Sequence, residues 1–132
     1  MIKIIKSPIS KADLKEIAKG GFGDFVKAVV DVEQEIMAVG AALHADAEVL
    51  LMDEEGSKRE NTWGVNLYVE KSGDDFIQFD SMVNIKPAFG NRSRDVGDPK
   101  IREKIKRIVE KLVQWANRIL FIKNWLKVDG LS

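Results

Sequence analysis

From Asp98 to Leu126 the chain repeats apolar residues at helical spacing. Ile101, Ile105, Ile108, Leu112, Trp115, Ile119, Ile122 and Leu126 follow one another at intervals of 4, 3, 4, 3, 4, 3 and 4. That is a heptad seam. Asp98 is a natural N-cap, Pro99 suits a first helical turn, and neither Gly nor Pro returns until Gly130. One helix over 99–127 would run roughly 43 Å at 1.5 Å per residue. A domain of this length has a radius of gyration of about 14 Å. Such a helix must project past its domain or bend back over it. The expectation is one α+β domain over 1–113, with 114–132 as a helical extension of the last helix. The half up to Val113 belongs to the core. In the distal half Trp115, Ile119, Ile122, Trp125 and Leu126 form an apolar face, widened by Ala116, Leu120 and Phe121. Left in water, that face would be costly, so self-association as a homodimer is the first expectation. Fold-back onto the domain is a second. A membrane-surface helix, with Arg118, Lys123 and Lys127 beside the tryptophans, is a third.

The chain has 132 residues, 45% hydrophobic and 32% charged, which suits one globular domain. It contains no cysteine, so disulfides and thiolate metal sites are excluded. Met1 to Lys6 lacks the apolar core of a signal peptide, and no apolar run approaches the roughly 18 residues that would span a bilayer. A cytoplasmic protein is the expectation. The formal net charge is zero, yet residues 1–85 carry 9 Lys/Arg against 16 Asp/Glu, and residues 86–132 carry 12 against 5. A basic part of this kind can face nucleic acid or an acidic protein. It can equally offset the acidic half by packing on it.

The remaining elements read in order. Ile2–Ile5 predicts a short strand, and Ser10 with Asp13 predicts the start of a helix that Gly20-Gly21 ends. Phe25–Val32 and Ile36–Val39 are rich in β-branched residues and predict a hairpin, although no Asn-Gly or Asp-Gly marks its turn and one long helix from Asp24 to Met37 is the rival. The segment 41–52 is ambiguous between helix and strand: alanines and leucines favour the first, alternation of His44, Asp46 and Glu48 with small apolar residues the second. Trp63–Val69 and Phe76–Ile85 predict two more strands. The whole is an antiparallel β-meander of four to five strands with an N-terminal helix and a long C-terminal helix.

Several segments together carry a family resemblance. They are Val29-Val30-Asp31-Val32-Glu33, Leu43-His44-Ala45-Asp46, Trp63-Gly64-Val65-Asn66-Leu67-Tyr68, Phe79-Asp80-Ser81-Met82-Val83-Asn84-Ile85, Gly90-Asn91-Arg92-Ser93 and Asp98-Pro99-Lys100-Ile101-Arg102. With them, residues 1–113 resemble a prokaryotic family catalogued as domain of unknown function 5674. The chain departs from that pattern at Lys86, where it would have Arg, and at Ala88-Phe89, where it would have polar residues. The resemblance implies a shared fold. It brings no catalytic residues with it.

Two constellations are candidates for chemistry. The loop from Asn84 to Asp98 gathers Asn84, Lys86, Asn91, Arg92, Ser93 and Arg94 just ahead of a helix start. Amide, hydroxyl and guanidinium donors there could hold an anion such as phosphate, with Arg92 and Arg94 donating. Against that, Asp98 already occupies the helix end, and Asn and Ser side chains often satisfy loop backbone. The second candidate is His44, Asp46 and Glu48. In a strand all three share a face and could serve acid–base chemistry; in a helix only His44 and Glu48 do. Asp80 and Asp31 could add carboxylates, but no spacing matches a metal or cofactor signature, and neither is expected. Two functions follow. One is a homodimeric binding or regulatory module that holds a protein or nucleic acid. The other is an enzyme for a phosphorylated or anionic substrate, using His44, Asp46, Glu48 and the Asn84–Arg94 loop.

Overall fold

Val26, Val29 and Val30 in Phe25–Asp31 (β3) favour an extended chain, and this strand is the centre of the sheet. A computed structural model describes residues 1–114. In it β3 pairs antiparallel with Ile36–Val39 (β4) on one side and Thr62–Tyr68 (β5) on the other. Lys3–Ile5 (β1) extends the sheet beyond β4, and Ile77–Gln78 (β6) beyond β5, giving the order β1-β4-β3-β5-β6. The predicted hairpin is therefore present. Its turn is organised by a side chain: Asp31 Oδ1 accepts from the backbone N–H groups of Glu33 (2.9 Å) and Gln34 (3.0 Å). Glu35 then takes φ 57°, which closes the turn without an Asn-Gly pair.

Both faces of the sheet are covered. On one lie α1 (Lys11–Lys19) and α3 (Pro99–Leu112), whose Leu14, Ala18, Ile105, Ile108 and Leu112 pack on Val26, Ala28, Val30, Trp63, Val65 and Leu67. Ser10 caps α1 by accepting from Asp13 N–H, and Asp98 caps α3 by accepting from Lys100 N–H. On the other face α2 (His44–Glu55) sets Ala47 and Leu51 against Val29, Ile36 and Ala38. The segment that was ambiguous between helix and strand is thus a helix.

Three expectations change. The sheet is antiparallel and five-stranded, but β5 lies beside β3 instead of β4, because α2 carries the chain back across the sheet. The strand expected over Phe76–Ile85 shrinks to Ile77–Gln78; Ser81 Oγ then accepts from Val83 N–H and starts a 3-10 turn over Met82–Asn84. The single helix expected over 99–127 stops at Leu112. Val113–Gln114 (β7) is extended and pairs in parallel with Ile9–Ser10 (β2), burying β-branched Val113 in the core. The seam residues Trp115, Ile119, Ile122, Trp125 and Leu126 lie outside the described residues.

Candidate functional site

The first residue of α2, His44, turns its imidazole onto β5, where Nε2 and Val65 O are 2.9 Å apart. A carbonyl only accepts, so Nε2 carries the proton and Nδ1 keeps its lone pair. Burial pushes the imidazole below its ordinary value. The Val65 carbonyl opposes that shift, Lys27 adds to it, Asp80 opposes it and Arg94 adds. The ring is neutral near pH 7. The residue ahead, Leu43, is the N-cap of α2 and offers no side-chain acceptor to its free N–H groups. An amino end of this kind carries partial positive charge.

Beside it opens a cleft of about 480 Å³ between α2, the strands β3, β5 and β6, and the loop beyond β6. Phe25 and Tyr68 form an aromatic wall, their ring centroids 5.2 Å apart. Lys27, Asp80 and Arg94 bring two cations and one carboxylate. Arg94 Nε donates to Asp80 Oδ1 at 2.6 Å, while its Nη groups make no hydrogen bond among the described residues. Its backbone is anchored, since Arg94 O accepts from Ser81 N–H and from Asn84 Nδ2. Asn66, 7% exposed, donates through Nδ2 to Gln78 Oε1 (2.9 Å) and to Asp80 O (3.4 Å). Its Oδ1 is buried and receives no donor from the described residues. A buried acceptor left open is costly, and this one is closed off from the cleft as well.

The loop that looked like an anion site spends most of its donors internally. Asn84 is fully buried: Oδ1 accepts from Gly64 N–H (2.8 Å) and Nδ2 donates to Gly64 O and Arg94 O (both 2.9 Å). Its amide stands in for a neighbouring strand where β6 has run out, sealing the edge of β5. Gly64 makes that approach possible, because a Cβ there would lie 2.5 Å from Ser81 Cβ and 2.9 Å from Val83 Cγ2. Asn91 donates to Asn84 O, Ser93 O and Asp95 O and accepts from Gly97 N–H. Lys86 lies buried over the Trp63 ring and donates to Arg59 O (2.6 Å) and Thr62 O. Burial lowers its pKa to about 8, with Glu48 raising it and Arg59 lowering it further. Of the rest, Arg92 and Ser93 are exposed and outside the cleft wall, and Ser93 exchanges hydrogen bonds with the Asp95 backbone. Only Arg94 reaches the cleft.

The second candidate divides as a helix requires. His44 and Glu48 both face inward, and Asp46 faces solvent. Glu48 accepts from Arg59 Nη1 (2.9 Å) and Thr62 Oγ1 (2.7 Å), which ties it to the Lys86 cluster and away from the cleft wall. Asp31 sits at the opposite end of β3 from Phe25, about 20 Å away at 3.4 Å per residue. Asp80 is in the cleft. Sequence reasoning missed Asn66, Gln78, Tyr68, Phe25 and Lys27. One signal existed: an Asn in the middle of Trp63-Gly64-Val65-Asn66-Leu67-Tyr68 sits poorly in a strand unless its amide has a task.

Among the described residues no group of three His, Cys, Asp or Glu could hold a metal, and no helix is long and apolar enough to cross a membrane. Neither the curated proteins nor the solved structures hold a significant match to the chain. A family model described as Protein of unknown function (DUF5674) matches residues 3–112, which takes in both helical layers and all five strands of the sheet. The chain belongs to that family.

Proposed function

We propose that this protein is a cytoplasmic binding module whose ligand is a small anion held in the cleft at the amino end of α2. The observation that carries the reading is Arg94, whose Nη groups make no hydrogen bond among the described residues, in the wall of a cleft that also gathers Lys27 and His44. Asp80 orients the Arg94 guanidinium through Nε and leaves the Nη edge to meet an oxyanion. The amino end of α2 adds N–H donors and the positive end of its dipole. His44 is the only histidine, so its imidazole Hε1 proton is a single, assignable NMR reporter of the cleft. Titration with phosphate and with succinate, at fixed ionic strength, should shift that resonance to saturation and raise the imidazole pKa. Arg94→Gln should abolish both effects. A resonance that drifts without saturating in the wild type refutes the reading.

The module works as a homodimer joined through Trp115, Ile119, Ile122, Trp125 and Leu126. The heptad spacing of Trp115, Ile119, Ile122 and Leu126 is the support, with Trp125 adding bulk beside them. Sedimentation of the full chain should give twice the mass of the Ile119→Glu/Ile122→Glu variant. Equal monomeric masses remove the dimer.

One observation favours an enzyme as a second reading: His44 is neutral, fixed in one tautomer, and its Nδ1 makes no hydrogen bond among the described residues. That is the state of a general base. It predicts turnover of a phosphate or carboxylate ester that His44→Gln loses while ligand affinity persists. If no ester in a panel is turned over faster by the wild type than by His44→Gln, the enzyme reading falls.

A further inference from the structure

Helices α2 and α3 differ in what they turn to solvent. α3 exposes Lys100, Glu103, Arg107, Glu110 and Lys111, an ordinary charged face. α2 does not. Its inner side sets Ala47 and Leu51 on the sheet, and its outer side carries a second apolar stripe of Ala45, Val49 and Met52, at i, i+4 and i+7. Val49 is 53% exposed and Met52 41%. A helix that is apolar on both sides is built to be covered on both. The charge on α2 has one sign. Of its five acids Glu48 pairs with Arg59 and Glu55 with Lys6, while Asp46, Asp53 and Glu54 are exposed and make no ion pair among the described residues. The helix contains no Lys or Arg.

The chain itself holds a segment of matching chemistry. Residues 115–126 lie outside the described residues and are as many as α2 contains, so a helix of each would span about 18 Å at 1.5 Å per residue. Their seam of Trp115, Ile119, Ile122 and Leu126 is apolar, and the charges from Trp115 to Lys127 are Arg118, Lys123 and Lys127, all basic. Where the segment begins decides which copy of α2 it can reach. Gln114 follows Val113, which is buried in the core on the face of α1 and α3, while α2 covers the opposite face. The seam starts at the very next residue, with no linker to carry it round the sheet to its own α2. A second copy is under no such constraint. Resting on the reading of this segment as the joint of a homodimer, we propose that it seats on the Ala45, Val49 and Met52 stripe of the partner copy's α2, and not on the partner copy's own segment 115–126. Two-fold symmetry makes the contact twice, with basic residues of the segment facing Asp46, Asp53 and Glu54 across it.

Sedimentation of the full chain and its variants tests the seat. Val49→Lys/Met52→Lys touches neither the segment nor the cleft wall, and should convert the dimer to monomer. Mixed one to one with Ile119→Glu/Ile122→Glu, at concentrations well above the wild-type dissociation constant, it should form a heterodimer. Each variant is monomeric alone, but the mixture holds one intact segment and one intact stripe. Asp53→Lys/Glu54→Lys, at exposed positions, should raise the dissociation constant of the dimer about tenfold. This second variant decides the matter should a thermal melt show that Val49→Lys/Met52→Lys does not fold. If the α2 variants dimerise as tightly as the wild type, or the mixture yields no heterodimer, the stripe is not the seat and the homodimer stands. A monomeric wild type overturns the seat and the homodimer together.

Discussion

Two polar regions lie against β5 and differ in one respect. In the loop after β6, Asn84, Lys86 and Asn91 are buried and every amide and ammonium group has protein partners. In the cleft beside it Asn66 is also buried, yet its carbonyl oxygen has no partner among the described residues. Buried polar groups are almost always paired. A saturated network is therefore the signature of structure, whereas the Nη edge of Arg94, in the cleft wall, is a donor with no partner among the described residues. Composition alone would rank these regions the other way, since the loop is far richer in Asn, Ser and Arg. What separates them is whether the donors are already spent.

Removing a saturated group should do the most damage. Asn84→Ala leaves Gly64 N–H, Gly64 O and Arg94 O without their side-chain partner at a fully buried position. At roughly 1–3 kcal/mol for each buried group left unpaired, the variant should lose about 3–5 kcal/mol of stability. Thermal and urea melts measure it, and a loss under 1 kcal/mol would mean that the edge of β5 does not need this seal. Gly64→Ala comes next. Its new Cβ would meet Ser81 and Val83 at 2.9 Å or less, and overpacking of this kind costs about 1–3 kcal/mol. An unchanged melting temperature would show that the loop gives way easily.

These partnerships also explain which parts of the molecule were legible beforehand. The hairpin of β3 and β4, the Ser10 and Asp98 caps and the apolar stripe of α3 are local features, set by residues within one turn or one strand. The end of α3 is not local: the seam continues past Leu112, but Val113 is claimed by Ile9, more than 100 residues earlier in the chain. The same holds for the site. His44 and Arg94 were visible as chemistry, but in separate segments, and their meeting depends on α2 packing across β3 and β4 with its first residue against β5. Asn84 read as a ligand donor because its real partner, Gly64, lies 20 residues away on the bare edge of a strand.

A smaller effect comes from the charge inside the saturated network. Burial lowers the pKa of Lys86 to about 8, against 10.5 for an ordinary lysine. Between these values the unfolded chain keeps the proton that the folded chain has released. Stability therefore rises with pH across that window, by at most about 1.4 kcal/mol per pH unit. The carbonyls of Arg59 and Thr62 and the face of Trp63 work in the opposite direction, because they hold the ammonium form. Urea unfolding of the wild type and Lys86→Met at pH 8, 9 and 10 compares the two effects. Wild-type stability should climb relative to the variant. A relative decline would mean that the carbonyl and indole contacts outweigh burial.

The smallest stability change should come from Asn66→Leu, and its smallness is what distinguishes the cleft from the loop. The substitution gives up the 2.9 Å bond to Gln78 and the long 3.4 Å contact to Asp80 O. It also removes the one buried acceptor in the cleft wall that costs free energy for want of a donor. Leucine is close to asparagine in size and fits a β-strand at least as well, so the terms offset to within about 1 kcal/mol. Asn66 lies within β5 and Asn84 against its edge, both buried, so the pair is its own control. Should Asn66→Leu unfold the protein as readily as Asn84→Ala, Asn66 would be a structural residue like Asn84. A near-neutral melt for Asn66→Leu beside a large loss for Asn84→Ala would show that the fold depends on Asn84 and not on Asn66.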